Sequence, residues 1–392
     1  MPDRLPCLAV TAPGLAPLAE QELRAIGIAP EATAAEGVSF SASPVQLYAA
    51  NLWLRTATRV VIRVASFRAE TFAELERRAR RVVWERYITT GDRVRIRVTC
   101  RKSRLYHSDA VAERIAGAIR RVGGVPMLEP DQISPDAQVA GGEAGVAASG
   151  ASGSSGQLIL VRFFRDHCTV SMDSSGDLLH RRGYRQETAK APLRETLAAA
   201  VLMASGWECQ GPLIDPLCGS GTIVIEGALL ARRRAPGLSR QFAFMRWPEF
   251  DAPAWRTLVA DARGHERAAP PVPIYGSDRD PGATAAALGN ATRAGVQDDI
   301  RFVTCPISAI EPPPGPGWLV TNPPYGVRVG ERDRLRNLYA QLGHVARAKC
   351  PGWTVALVSG NRMLTCHTGL PFATEVRTTN GGLPVELVRG VS

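Results

Sequence analysis

A five-residue segment in the last third of the chain could hold a planar amino group ready for attack. The segment is Asn322-Pro323-Pro324-Tyr325-Gly326, and its prolines fix φ and remove backbone donors, which leaves carbonyl oxygens unpaired. The Asn322 side-chain oxygen and the Pro323 carbonyl can then accept both hydrogens of an amino group, while Tyr325 offers a face for stacking. The predicted catalytic residues are therefore Asn322, Pro323, Pro324 and Tyr325. The alternative is a structural turn in a chain with 29 prolines.

A second segment could bind an anionic group of a small molecule. It joins a predicted strand to a predicted helix and comprises Asp215, Pro216, Leu217, Cys218, Gly219, Ser220, Gly221 and Thr222. Its glycines let the backbone approach a ligand, and the helix N-terminus offers N–H groups and positive potential. No Gly-Lys-Ser/Thr follows, so a carboxylate suits this loop better than a triphosphate. A purely structural glycine turn has the same pattern.

A third segment ends a predicted strand with two aspartates. In residues 275–281 (YGSDRDP), Asp280 followed by Pro281 is typical of a helix N-cap, and we expect Asp280 to cap. Asp278 has no capping role in this pattern. It can hydrogen-bond the hydroxyls of a ribose, as an acid after the second strand does in nucleotide-binding sheets.

These three segments lie in a region where strands and helices alternate. Strands are predicted at 212–215, 274–277, 318–321 and 354–359, and helices at 192–205, 223–234, 281–294 and 334–348. Such alternation favours a doubly wound, mostly parallel sheet, in which ligands bind at the carboxyl ends of the strands. The three segments fall at those ends.

The first half of the chain indicates a compact α+β module. Strands are predicted at 8–11, 38–40, 59–67 and 94–99, with two more within 158–172, and helices at 15–26, 72–83 and 108–122. Ser108 or Asp109 is the expected N-cap of the third helix, and a turn is expected at Asp166-His167. Residues 133–157 (ISPDAQVAGGEAGVAASGASGSSGQ) predict a flexible surface loop within this module.

Positive charge is concentrated in one part of the chain. The formal net charge is +10, but residues 54–121 alone contain 17 Arg and one Lys against seven acids, a net of +11. Clustering of this kind points to nucleic acid as a partner. The chain has 44 Arg and three Lys in all, a bias that a GC-rich genome also produces.

Other features of the composition narrow the class. No uncharged apolar run is long enough to span a bilayer, and the N-terminus lacks the pattern of a signal peptide, so we expect a soluble, cytoplasmic protein. The eight cysteines are scattered without C-x-x-C spacing. Cys366 beside His367 has no further ligands nearby, so no metal is expected.

The three segments together resemble the class I S-adenosylmethionine-dependent methyltransferases whose N-P-P-Y motif methylates exocyclic amino nitrogens. Residues 103–115 (SRLYHSDAVAERI) resemble the signature of a THUMP RNA-binding domain, and residues 175–185 (SGDLLHRRGYR) with 191–195 (APLRE) resemble the junction that follows it. Residues 242–251 (FAFMRWPEFD) are similar to an insertion of the THUMP-containing guanine-N2 methyltransferases, especially those of large-subunit ribosomal RNA.

The resemblance implies a fold in three domains. The fold class is α/β: a Rossmann-like class I methyltransferase domain with a doubly wound, mostly parallel sheet, preceded by an α+β ferredoxin-like and THUMP RNA-binding module. The implied domains are residues 1–55 (ferredoxin-like), 56–175 (THUMP, with the loop 133–157) and 176–392 (methyltransferase).

The resemblance also implies a cofactor and a partner. The cofactor is S-adenosyl-L-methionine, and the residues expected to bind it are Asp215, Cys218, Gly219, Ser220, Gly221, Thr222, Asp278, Ile307 and Asn322. The partner is RNA, which we expect a monomer to bind through Arg101, Lys102, Arg104, His107, Arg182 and Arg185. For Arg182 and Arg185, a contact on the cofactor side and plain surface charge are open alternatives.

Two positions depart from the family pattern. Cys305-Pro306 stands where the family has an acid that accepts from the adenine amino group, so adenine recognition is expected from backbone groups near Ile307 or from a neighbouring side chain. Val327-Arg328 stands where the ribosomal enzymes have Glu-Arg, which affects the assignment of the substrate.

The sequence thus predicts an enzyme that transfers a methyl group to guanine N2, most specifically in 23S ribosomal RNA. A transfer RNA guanine is the alternative substrate, and a non-catalytic RNA-binding ribosome-assembly factor is the alternative class. Methylation of adenine N6 in DNA or of a protein glutamine shares the N-P-P-Y motif but leaves the THUMP-like half unexplained. We expect Tyr325→Phe to retain most activity, because it keeps the stacking face.

Overall fold

The computed structural model describes residues 3–128, 156–186, 193–325 and 332–392. The predicted loop at 133–157 lies outside these residues except for its last two positions, and Val327-Arg328 lies outside them entirely. Internal contacts divide the chain into two compact units. Unit 1 comprises Met1–Thr11, Ala19–Leu179 and Arg240–Val259, and unit 2 comprises Ala12–Leu18, His180–Ser239 and Ala260–Ser392.

The elements of the first half alternate between strands and helices. In chain order they are β1 (Leu5–Thr11), α1 (Ala16–Ala25), β2 (Pro30–Ala34), β3 (Gly37–Ala42), α2 (Pro44–Trp53), β4 (Ala57–Arg68), α3 (Phe72–Ala79), β5 (Arg93–Arg101), α4 (Ser108–Arg121), β6 (Val125–Leu128), β7 (Gln157–Phe164) and β8 (His167–Asp173). The predicted elements are all present, and β2, α2 and β6 were missed by the sequence pattern.

Some predicted boundaries in this half are wrong for local reasons. Helix α3 ends at Ala79 rather than at residue 83. At this end of the helix, the buried Trp84 donates its indole N–H to the Ala79 carbonyl at 3.0 Å. Neither Ser108 nor Asp109 caps α4, because the helix already begins at Ser108 and His107 occupies the N-cap position without a side-chain bond.

The β7–β8 turn also lies one residue earlier than predicted. Phe164 pairs with His167, so the two-residue loop is Arg165-Asp166. Both residues have positive φ, 51° and 61°, which matches the type I′ turn that a tight hairpin favours.

The elements of the second half supply the alternation expected from the sequence. They are α5 (Glu195–Ala204), β9 (Leu213–Asp215), α6 (Thr222–Ala231), α7 (Ala252–Gly264), β10 (Ile274–Asp278), α8 (Pro281–Ala294), β11 (Ile300–Thr304), β12 (Trp318–Thr321), α9 (Arg332–Lys349), β13 (Thr354–Ser359), α10 (Arg362–Cys366), β14 (Ala373–Asn380) and β15 (Leu383–Val391). None of the helices among the described residues combines the length and the apolar surface that crossing a bilayer requires.

Unit 1 contains a mixed sheet with the strand order β2-β3-β1-β4-β8-β7-β5-β6. Strand β4 pairs antiparallel with both β1 and β8, and β5 pairs in parallel with β6 and β7. Helices α3 and α4 pack on each other, α4 also contacts β5, and buried side chains of α4 such as Val111 and Ile115 face the interior. This is the predicted α+β module.

Unit 2 contains a sheet with the order β11-β10-β9-β12-β13-β15-β14. Strands β9 to β13 are parallel, and β15 and β14 close one edge in antiparallel orientation. Successive residues of a strand point to opposite faces: Leu213 joins the core formed with α5, α6 and α8, whereas Ile214 joins the core formed with α9. Helices on both faces confirm the doubly wound, mostly parallel fold.

The aromatic insertion belongs to unit 1, although it lies in the sequence of the predicted methyltransferase domain. The Phe244 ring stacks on Tyr48 with centroids 4.5 Å apart, and Phe250 and Trp255 meet the same tyrosine edge-on. Residues 176–392 therefore do not form a single compact unit, since the insertion buries its rings against α2.

We expect Phe244→Ala to lower the free energy of unfolding by about 3–5 kcal/mol, because the side chain is fully buried and its removal leaves a cavity. Urea denaturation followed by tryptophan fluorescence measures the change. Phe164→Ala is the matched control: this phenylalanine lies in the same unit but is 40% exposed, so its loss should cost less than about 1 kcal/mol. Equal effects of the two substitutions would contradict the structural role of the insertion.

Candidate active site

The three segments identified in the sequence meet at one edge of the unit 2 sheet. Strand β9 lies between β10 and β12, with Asp215 opposite Gly276 and Ile214 opposite Leu319. After β9 the chain continues to β10 on one side, and after β12 it continues to β13 on the other side. The strand order therefore reverses between β9 and β12, and such a topological switch point is where these sheets bind ligands. Asp215, Asp278 and Asn322 each stand at the carboxyl end of one of these strands.

Asp215 is buried at the end of β9. Its Oδ1 accepts hydrogen bonds from the Thr321 hydroxyl at 2.6 Å and from the Leu217 amide at 3.1 Å. Burial raises the pKa of this carboxyl to about 7, and the nearby Asp278 carboxylate acts in the same direction. A carboxyl group with this pKa changes charge around neutral pH.

The loop after Asp215 packs closely against α8 and leads into the N-terminus of α6. Gly221 has a left-handed backbone (φ 82°), and a Cβ at this position would lie 2.9 Å from the Ala287 Cβ. Helix α6 begins at the next residue, Thr222, so its first N–H groups have no earlier helical carbonyl to bind. The buried Asn290 holds the loop from behind by donating to the Ser220 carbonyl at 3.0 Å.

Asp278 has two backbone partners that the sequence pattern did not indicate. Its Oδ2 accepts from the Gly219 amide at 3.1 Å, and its Oδ1 accepts from the Asp280 amide at 3.0 Å. Asp280 caps α8 by accepting from the Gly282 amide, which confirms its predicted role. An ionised carboxylate has about four acceptor sites, so Asp278 can fix the loop and still accept from hydroxyl groups.

The Asn322 side chain presents a buried acceptor at the end of β12. Its Oδ1 is shielded from solvent, and none of the described residues donates a hydrogen bond to it. Leaving a buried acceptor unsatisfied costs about 1–3 kcal/mol, so this oxygen is a candidate acceptor for a ligand donor. Pro323 is buried and Pro324 is exposed.

Tyr325 follows Asn322 by three residues in the chain, and its side chain is half-buried. Its hydroxyl accepts a hydrogen bond from Asn380 Nδ2 at 2.7 Å, and burial raises the pKa of the phenol. Asn380 is therefore a residue of the site that sequence reasoning missed. Asn380 and Tyr325 are 55 residues apart in the chain, so no local pattern links them. The one available signal was the position of Asn380 at the end of a predictable hairpin.

Ile307 lies in a short 3-10 turn after β11 with its side chain buried in the core. A ligand can therefore meet this residue only through its backbone, as the sequence led us to expect. The neighbouring Cys305 is partly buried, and its amide donates to the Asp278 carbonyl at 3.0 Å. The part of the site that binds adenine stays a prediction.

Four of the predicted RNA-binding residues lie on the exposed stretch from the end of β5 to the start of α4. These are Arg101, Lys102, Arg104 and His107. Sequence reasoning left out Tyr106, which is 67% exposed and packs on the His107 ring with centroids 4.0 Å apart. Exposed rings beside cations are typical of surfaces that stack bases. The position of Tyr106 between the basic residues Arg104 and His107 was the sequence signal that could have indicated it.

Two predicted RNA-binding residues lie elsewhere, in unit 2, where their side chains are largely buried rather than exposed. Arg182 is buried, with its guanidinium 3.3 Å from the Glu226 carboxylate. Arg185 binds Glu195 through two hydrogen bonds of 3.0 and 3.1 Å, and only 14% of its side chain is exposed. Both arginines neutralise buried acids of unit 2, because an unpaired charge is costly in the interior.

The fold and the site together define a class I methyltransferase. The UPF0020 profile, described as "RMKL-like, methyltransferase domain", matches residues 182–387. Two further profiles, the RlmL ferredoxin-like domain and the THUMP domain, match residues 6–61 and 69–139. The chain belongs to the RMKL-like methyltransferase family.

Relatives match along nearly the whole chain. The slr0064 protein of Synechocystis, named as an RNA methyltransferase, is 34% identical over 98% of this chain and 96% of its own length. The ribosomal RNA large subunit methyltransferase K/L of Syntrophotalea carbinolica is 37% identical over 96% of this chain and 52% of its own length. The chain thus spans about half the length of the K/L relatives.

A solved structure identifies the cofactor. The methyltransferase SMU.472, crystallised with SAH, superposes with a TM-score of 0.84 at 26% identity, covering 99% of this chain and 98% of its own. The protein uses S-adenosyl-L-methionine. The residues of this site fit that group: the N-terminus of α6 suits its carboxylate, Asp278 suits the ribose hydroxyls, and Asp215 suits the α-ammonium.

We expect cofactor affinity to fall below neutral pH. A carboxyl with a pKa of about 7 is mostly ionised at pH 8 and mostly protonated at pH 6, and only the ionised form attracts an ammonium group. The dissociation constant for S-adenosyl-L-methionine, measured by calorimetry, should therefore rise about tenfold from pH 8 to pH 6. Asp215→Asn should remove this dependence and Asp280→Asn should keep it; an unchanged slope in Asp215→Asn would contradict the assignment.

Proposed function

We propose that the protein transfers the methyl group of S-adenosyl-L-methionine to guanine N2 in 23S ribosomal RNA. The observation that carries this proposal is the buried Oδ1 of Asn322, which lacks a donor among the described residues and follows directly on the strand next to the cofactor loop. An exocyclic amino group is the donor that fits an amide oxygen and a proline carbonyl together.

The chemistry is mainly a matter of orientation. The lone pair of N2 is delocalised into the guanine ring, so this nitrogen is a weak nucleophile. The bound cofactor supplies an electrophilic methyl group. Asn322 and Pro323 accept the two hydrogens of the amino group and thereby direct its lone pair to that methyl. Positioning of this kind can supply several kcal/mol of the barrier reduction.

Reaching N2 also requires that the guanine leave its helix. A base inside a duplex cannot approach a buried acceptor, so the enzyme must bind a flipped or unpaired nucleotide. Tyr325 provides the face on which that base stacks, worth about 1–3 kcal/mol. The exposed cations of the β5–α4 stretch in unit 1 supply affinity for the phosphate backbone without reading the sequence.

Large-subunit ribosomal RNA is favoured over transfer RNA by residues 6–61. They match the ferredoxin-like domain named for the large-subunit enzyme RlmL, and the K/L relatives carry ribosomal RNA in their names. A non-catalytic assembly factor would have no need of an unsatisfied buried acceptor at Asn322. Calorimetry separates the two classes, since such a factor has no need to bind the cofactor.

We expect Asn322→Ala to lower the single-turnover methylation rate about a hundredfold, because a misoriented amino group loses most of the benefit of positioning. The dissociation constants for cofactor and RNA should change little, since the bond acts mainly in the transition state. Rapid-quench assays with radiolabelled cofactor and a 23S rRNA transcript measure the rate.

The matched control for this experiment is Asn322→Asp, which keeps an acceptor oxygen at the same place. It should retain more activity than Asn322→Ala. A near wild-type rate in Asn322→Ala would mean that another group orients the amino nitrogen, and the role assigned to the N-P-P-Y turn would be wrong.

RNA affinity should depend on salt through the β5–α4 stretch. Lys102→Ala removes one exposed cation, so a plot of log affinity against log salt concentration should become shallower by about one unit. Filter binding of a 23S rRNA transcript at several salt concentrations measures the slope. Arg256→Ala is the control, because Arg256 is also exposed but lies on α7; an equal change in both variants would contradict a specific RNA surface.

A further inference from the structure

The ring of Tyr325 is held at both of its ends. At its base, the ring lies directly over the backbone at the end of β13: a Cβ on Gly360 would come within 2.5 Å of the ring atoms Cγ and Cδ2. At its tip, the hydroxyl accepts the hydrogen bond from Asn380 Nδ2 at 2.7 Å. One face of the ring is thereby covered by Gly360, and the angle of the ring is fixed by Asn380.

Asn380 is itself fixed by the antiparallel edge of the sheet. It is the last residue of β14 and pairs with Leu383, the first residue of β15. The two residues between them, Gly381 and Gly382, have φ values of 58° and 86°. Left-handed values at both central positions define a type I′ turn, whose twist matches that of the flanking strands. The amide that reaches Tyr325 therefore projects from the end of a two-residue hairpin whose strands are paired in register.

We infer that Asn380 is a positioning residue for the methyl transfer, acting through the hydroxyl of Tyr325. This inference rests on the proposed function. A stacked base takes the angle of the ring beneath it, and the contacts with Gly360 and Asn380 together restrict the angle of this ring. Anchoring the ring before RNA binds also reduces the side-chain entropy lost when the base stacks. The hairpin end thus helps to set where the guanine amino group lies relative to Asn322.

This role changes the expectation for Tyr325→Phe. From the sequence alone, that substitution keeps the stacking face and should retain most activity. With the hydroxyl as an anchor, it removes the same hydrogen bond as Asn380→Ala. Both single variants should therefore lower the single-turnover rate about three- to tenfold, the range expected for one hydrogen bond.

A double-mutant cycle on the full-length protein tests the inference. The variants are Asn380→Ala, Tyr325→Phe and their combination, assayed with saturating S-adenosyl-L-methionine and a 23S rRNA transcript. If Asn380 acts through the hydroxyl, the double variant should be no slower than the slower single variant. Cofactor affinity should stay unchanged in all three, because no substitution touches the loop at Gly221. Multiplying effects in the double variant, or a wild-type rate in Asn380→Ala, would overturn the inference.

Two further variants separate positioning from stability of the hairpin. Asn380→Asp reverses the hydrogen bond, since the tyrosine hydroxyl can donate to the carboxylate, and should stay within about threefold of the wild-type rate. Thr379→Ala is the matched control, because it alters the neighbouring residue of the same strand, whose side chain points to the other face. A loss in Thr379→Ala equal to that in Asn380→Ala would assign the effect to the hairpin and contradict the inference.

A readout without RNA keeps this test independent of the substrate. In protein labelled with 3-fluorotyrosine, the ¹⁹F signal that disappears in Tyr325→Phe belongs to Tyr325, and we expect it to shift in Asn380→Ala and to stay in place in Thr379→Ala. An unshifted signal in Asn380→Ala would overturn the inference whatever nucleoside is methylated. Absence of N2-methylguanosine among the wild-type products would contradict the proposed function alone.

Discussion

Three adjacent parallel strands must end side by side for this site to exist, and one hydrogen bond joins two of those ends directly. The Thr321 hydroxyl at the end of β12 donates to Asp215 at the end of β9, in a buried position. Asn322 follows Thr321 in the chain, so the acceptor that we propose for the substrate amino group is tied to the strand that carries the cofactor loop. Asp278, at the end of β10, holds that loop through the Gly219 amide. The two binding positions are parts of one hydrogen-bonded sheet edge.

Burial distinguishes two pairs among the arginines expected to bind RNA. Arg182 and Arg185 lie within unit 2, where each neutralises a buried glutamate, and their contribution is to stability. Arg101 and Arg104 lie exposed in unit 1, beside Lys102 and the Tyr106–His107 ring pair. We propose that the second group meets a phosphate backbone, because Arg182 and Arg185 would have to break buried ion pairs to do so, whereas the pair that Arg104 forms with Glu70 is exposed.

Much of the fold was predictable because alternation of strands and helices specifies a doubly wound sheet. The main segments of the candidate site were also predictable, because each consists of residues that are neighbours in the chain. The N-P-P-Y turn and the Asp280 cap need only neighbouring residues. The role of Arg182 was not predictable, since its partner Glu226 lies 44 residues away, and neither was that of Asn380, whose partner Tyr325 lies 55 residues away. The insertion was recognisable as a motif, but its packing on Tyr48 depends on tertiary contacts that no local pattern contains.

The chemical identity of the methylated nucleoside distinguishes methyl transfer to guanine N2 from the alternative activities. A 23S rRNA transcript incubated with the protein and S-adenosyl-L-methionine carrying a deuterated methyl group can be digested to nucleosides and analysed by mass spectrometry. We expect a labelled N2-methylguanosine that is absent when Asn322→Ala replaces the wild type under the same brief incubation. A labelled N6-methyladenosine in its place, or no labelled nucleoside from an RNA that the protein binds, would contradict it.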